Sequence, residues 1–97
     1  MKQYVIHALD GTDDDALNRR LSVRAAHFEN MSRFKANGNF ILGGAMLDER
    51  GQMMGSTVVM QFDSEDEFRE YLDSEPYIRD KVWVDIRIYP FKTATVV

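Results

Sequence analysis

Val82-Trp83-Val84-Asp85-Ile86-Arg87-Ile88-Tyr89 is the clearest strand in the chain, and the fold is read outward from it. Side chains alternate across a pleat, so Val82, Val84, Ile86 and Ile88 fall on one face. Trp83, Asp85, Arg87 and Tyr89 fall on the other, and Pro90 is expected to end the run. Upstream, Ser64-Glu65-Asp66-Glu67 is a capping box that opens a helix with Phe68, Tyr71 and Leu72 on its apolar side. Glu75-Pro76 interrupts that helix, because a residue before proline is pushed out of the α region. Pro76 then opens a short turn through Asp80. Two further strands, residues 40–47 and 52–62, flank the hairpin turn Asp48-Glu49-Arg50-Gly51. Before them a long helix runs to about Ala36. Thr12 is its expected N-cap, Asp13 to Asp15 its first turn, and Asn37-Gly38 its left-handed stop. Residues 4–9 form the first strand, with Tyr4, Ile6 and Ala8 on one face and Val5, His7 and Leu9 on the other.

The resulting order is βαββαβ within a single domain, residues 1–97. Its common realisation is an α+β, ferredoxin-like fold: a four-stranded antiparallel sheet with both helices on one face. The other face is left uncovered. Alternation assigns Trp83 and Tyr89 to it, with some of Val58, Met60 and Phe62 depending on register. An apolar face of that size predicts a partner, and a second copy in a two-fold homodimer is the simplest.

Composition narrows the function classes. A chain of 97 residues holds one core, supplied here by six phenylalanines, four tyrosines, one tryptophan and six methionines. A net charge of −4 speaks against nucleic acid or an anionic membrane as the main partner. No apolar run reaches the length of a membrane span. Cysteine is absent, which removes disulfides and thiolate metal sites; with no signal-peptide pattern, a cytoplasmic location is expected. No cofactor motif is visible and no metal is expected. The two histidines lie on different elements, and Asp13-Asp14-Asp15 suits a helix start without an ion.

Candidate chemistry concentrates on the long helix, in Arg19-Arg20-Leu21-Ser22-Val23-Arg24-Ala25-Ala26-His27. Residues three, four and seven apart share a helix face, so Arg20, Arg24 and His27 form one polar edge beside Leu17, Leu21, Phe28 and Met31. Two fixed cations and one group that titrates near neutrality suit binding an anion and moving a proton beside it. Each residue also has a plainer reading. His27 could be a packed histidine satisfied by a carbonyl, and the arginines could be solvated surface pairs.

The chain resembles the YciI-like (YCII-related) family of small bacterial proteins. The resemblance is carried, in order, by Tyr4-Val5-Ile6, the Arg20 to His27 motif, Gly43-Gly44, Gly55-Ser56-Thr57-Val58, Glu75-Pro76-Tyr77-Ile78 and Tyr89-Pro90-Phe91-Lys92. It implies a dimeric α/β barrel, sheet face against sheet face, with an active site of a histidine and an acid. The family histidine falls on His27, its arginine on Arg24, and its Gly-Ser pair on Gly55 and Ser56. Where the family commonly has Asp-Pro-Tyr or Asp-Pro-Phe, this chain has Glu75-Pro76-Tyr77, with the carboxylate one methylene farther from the backbone. One branch of the family resembles dehalogenating enzymes acting on chlorinated muconolactones.

The expected site follows from motif and resemblance together. His27 is the general acid/base, Glu75 orients it, and Arg20 with Arg24 clamps an anion; Ser56 donates to the ligand and Tyr77 lines the pocket. The expected activity is cofactor-free elimination, isomerisation or dehalogenation on a small carboxylate or lactone. A non-catalytic small-molecule-binding or stress-related dimer, and a plain interaction module, remain open at this point.

Overall fold

The computed structural model describes residues 1–97. Its elements are β1 (Lys2–Asp10), α1 (Ala16–Ala36), β2 (Phe40–Leu47), β3 (Met53–Phe62), α2 (Glu65–Ser74), α3 (Pro76–Arg79) and β4 (Trp83–Phe91). The strands pair antiparallel in the order β2-β3-β1-β4, and the helices cover one face of the sheet. This is the ferredoxin-like α+β arrangement.

Local chemistry explains most boundaries. Ser64 Oγ accepts the Glu67 amide at 3.2 Å and starts α2. Gly38, at φ +82°, ends α1 in the left-handed region that only glycine occupies at low cost. The start of α1 differs from the expected Thr12 cap. The helix begins at Ala16, and Asp13 uses its carboxylate on the Arg19 guanidinium at 2.6 and 3.2 Å instead. β4 also continues through Pro90, which lies opposite Tyr4. As β4 is an edge strand, a missing N–H there leaves no inner ladder broken.

The core lies between helices and sheet and contains Ile6, Ala8, Met31, Val58, Met60, Phe62, Phe68, Tyr71, Tyr77, Val82 and Trp83. Trp83 therefore packs under the helices and not on the open face, and so do Val58, Met60 and Phe62. The register shifts between Leu9 and Asp10, so Asp10 pairs with Trp83 while Leu9 pairs with Asp85. One extra residue on β4, Val84, flips the alternation beyond it. Ile86 and Ile88 consequently share the helix side with Ala8 and Ile6. The open face carries Val5 opposite Tyr89, Leu42 opposite Val59, and Met46, with His7 between Thr57 and Arg87.

Candidate active site

Glu75 sits at the joint between α2 and α3, and the proline after it sets its conformation. Its backbone is extended, at φ −71° and ψ 114°, as a residue before proline requires. The side chain folds over the start of α3, where Oε1 accepts the Tyr77 amide at 3.1 Å. One turn back, Tyr71 donates its hydroxyl to Oε2 at 2.6 Å. The remaining partner is His27, whose Nδ1 lies 2.6 Å from Oε1. Glu75 is fully buried with these three partners around it, so no lone charge is left in the core. The longer glutamate side chain thus reaches the imidazole directly; Asp73 stays exposed and takes no part.

A carboxylate only accepts, so Nδ1 carries a proton, and in the neutral ring Nε2 is the lone-pair nitrogen. Nε2 makes no hydrogen bond within the chain, and the ring lines a cavity of about 420 Å³. Three aromatic rings hold the imidazole in place. Tyr77 stacks on it at 4.0 Å between centroids, while Phe28 and Trp83 approach at 5.5 and 6.2 Å, edge to face.

The cavity opens between α1 and the β2–β3 edge of the sheet. Gly43 and Ala45 pair with Val58 and Ser56 on the helix side of β2, and neither has a side chain that could fill the space below α1. Arg20, Arg24, His27 and Lys35 line it from the helix, Ser56 from β3 and Tyr77 from α3; no acidic residue does. Gly55 helps set this geometry. A Cβ there would collide with the Ala8 carbonyl oxygen, so glycine lets β3 lie tight on β1 beside Ser56.

Arg20 has partners that differ from an anion clamp facing solvent. It is buried, and its Nη1 lies 3.1 Å from both oxygens of Asp10. Its Nη2 donates to Ser56 Oγ at 2.8 Å, and Trp83 Nε1 donates to the same oxygen at 3.2 Å. The guanidinium also lies over the Tyr77 ring, 4.9 Å from its centroid. Burial pushes the Asp10 carboxyl above the usual carboxylate range, and Arg20 opposes that push. Burial likewise raises the Tyr77 hydroxyl, against the pull of Arg20 and Arg24. Arg24, exposed and resting on Phe28, has no ion-pair partner, and neither has Lys35. These two are the cations left free at the cavity.

Residues 3–92 match the model of the YCII-related domain. The chain belongs to the YCII-related family. It is 33% identical over 95 residues to Protein YciI of Escherichia coli, covering 92% of this chain and 95% of that one. It is 30% identical, over the same shares, to an uncharacterised protein of Haemophilus influenzae. Among solved structures it is similar in fold to 5-chloro-2-hydroxyhydroquinone dehydrochlorinase (TftG) from Burkholderia phenoliruptrix, in complex with 2,5-dihydroxybenzoquinone. That likeness has a TM-score of 0.79 at 22% identity and covers 95% of each chain. A dimeric ferredoxin-like protein from an uncultured marine organism matches at a TM-score of 0.56 and 12% identity, over the whole of both chains.

Four residues of this YCII-related site escaped the sequence reading. Tyr71 had a usable signal, since it stands four positions before Glu75 on a helix. Lys35 follows His27 by eight positions, about two turns along the same helix side. Asp10 and Trp83 gave none, because their contacts depend on the register of β1 with β4. No helix of the protein is long and apolar enough to cross a membrane.

Proposed function

We propose that the protein is a cytoplasmic, cofactor-independent acid/base enzyme acting on a small carboxylate or lactone by elimination, isomerisation or dehalogenation. The observation that carries this reading is the His27–Glu75 pair. One ring nitrogen is held by a buried carboxylate, and the other is unbonded in a ring that lines a cavity with cations and no acid. His27 Nε2 takes a proton from the substrate. The electron pair of the broken bond forms the new double bond, and the leaving group departs with its own pair, as halide where the substrate carries one. No oxidant or reductant enters the balance. Glu75 stabilises the imidazolium that forms, while Arg24 and Lys35 receive the anionic group. Arg20, paired with Asp10, adds its charge from behind Ser56, and Tyr77 forms the wall against which the imidazole stacks.

The fold likeness to a dehydrochlorinase supports the dehalogenating version. A homodimer through the open sheet face is part of the same proposal. Leu42, Tyr89 and Phe91 are exposed large apolar side chains there, and a second sheet laid across them would bury them.

Chloride release from a panel of chlorinated hydroxyhydroquinones and chlorinated muconolactones tests the activity. The expected result is turnover of at least one compound, falling roughly 100-fold or more in His27→Gln. Saturable binding without any product would instead make this a non-catalytic small-molecule-binding protein.

A further inference from the structure

Ser56 shows a fixed polarity that the acid/base reading does not use. Its hydroxyl has two acceptor sites and one donor proton. Arg20 Nη2 and Trp83 Nε1 both point at Oγ, at 2.8 and 3.2 Å, and neither group can accept. Both acceptor sites are therefore filled. Ser56 Oγ donates to no atom of the chain, although the residue is only 3% exposed and lines the cavity. Leaving such a proton unpaired is costly, so the site is arranged for an acceptor supplied from outside the chain. Asp10 sustains the arrangement: it holds Arg20 through Nη1, which leaves Nη2 for the serine.

We propose that Ser56 Oγ–H is a one-way donor for a carbonyl or enolate oxygen of the ligand, with Asp10, Arg20 and Trp83 as its positioning residues. The proposal rests on the acid/base reading of His27 and narrows its substrate class to an enolisable carbonyl compound. Trp83 touches both ends of that chemistry, through Nε1 at Ser56 and through its ring edge at His27. The step balances without a co-reactant. His27 Nε2 removes a proton from the carbon next to the carbonyl, and the C–H electron pair forms a carbon–carbon double bond. The carbonyl π pair moves onto oxygen, where the Ser56 proton meets the growing charge. A donor pre-aimed by two buried neighbours needs no reorganisation as that charge develops.

The test is a visible-absorption titration of the full-length protein with 2,5-dihydroxybenzoquinone, a coloured compound rich in acceptor oxygens. Wild type is expected to bind saturably. Ser56→Ala should weaken binding roughly 10- to 100-fold, and Ser56→Thr, which keeps the hydroxyl, should restore most of it. Trp83→Phe keeps a ring but frees one acceptor site on Ser56, and should give a smaller loss in the same direction. Circular dichroism and melting of each variant check that the fold is retained. Equal affinity in wild type and Ser56→Ala would overturn the proposal, as would no binding by wild type at millimolar probe. Failure of chloride release with Ser56-dependent binding intact would count against the acid/base reading alone.

Discussion

Two buried carboxylates lie in this molecule's polar interior, each paired with a charged or chargeable side chain from α1, and they are used differently. Asp10, at the end of β1, faces Arg20, whose charge is permanent. Glu75, between α2 and α3, faces His27, whose charge can come and go. The Asp10 region spends both oxygens on one guanidinium nitrogen, and the pair is closed in place beside the cavity. The Glu75 region spends its oxygens on a hydroxyl, an amide and one imidazole nitrogen, and leaves the other imidazole nitrogen unbonded. A buried acid beside arginine makes scaffold and a standing field. A buried acid beside histidine makes a place where a proton can be held and released.

The largest effect expected from this contrast is on stability at the Asp10 pair. Arg20→Met leaves a buried carboxylate without its partner and should cost about 3–5 kcal/mol in urea unfolding. Burial already raises Asp10 against the pull of Arg20. In the variant that opposition is gone, so the folded form holds the Asp10 proton to higher pH than the unfolded chain does. Stability is then greatest in acid and falls as pH rises through the raised value. A loss that does not shrink in acid would break the assignment of the cost to Asp10.

Glu75→Gln should be milder, at about 1–3 kcal/mol. The amide oxygen can still accept from Tyr77 and His27, and the Tyr71 hydroxyl can turn to accept from the amide nitrogen. Turnover should nevertheless fall well below wild type, because the neutral amide no longer stabilises an imidazolium. Equal losses of stability in Arg20→Met and Glu75→Gln would erase the proposed division between scaffold and proton site.

A smaller effect is expected in alkali. Burial raises the Tyr71 hydroxyl above the usual phenol range, and the Glu75 carboxylate adds to the shift. Tyr77 is raised as well, chiefly by burial. The unfolded chain loses these protons from about pH 10 upward, whereas the folded protein keeps them. Folding then binds protons, so stability is full below that pH and declines as pH rises beyond it. Tyr71→Phe should flatten part of this decline in denaturant titrations between neutral and alkaline pH. An unchanged alkaline slope would place the effect elsewhere.

Much of this contrast is legible in the sequence. Alternation in residues 4–9, the Ser64 cap and the Asn37-Gly38 stop are local signals, and each produced the expected element. The motif around His27 and the Glu75-Pro76-Tyr77 segment named both partners of the proton site. The Asp10–Arg20 pair was not legible, because an acid at a strand end reads like any turn residue until the helix lies across it. Simple alternation puts Trp83 on the open face, whereas it packs in the core, for a related reason. A single bulged residue in β4 reverses alternation, and nothing local in Val82-Trp83-Val84 announces it. Thr12 looked like a cap, but the Asp13–Arg19 contact took over the approach to the helix.

The most direct test of the account is long-range ¹⁵N–¹H correlation NMR of His27 in wild type and Glu75→Gln. The neutral ring in wild type should carry its proton on Nδ1, with Nε2 unprotonated and its shift moved by a cavity ligand. Glu75→Gln should weaken that tautomer preference. A wild-type ring protonated on Nε2 and indifferent to Glu75 would contradict the claim that His27 presents a basic nitrogen to the cavity.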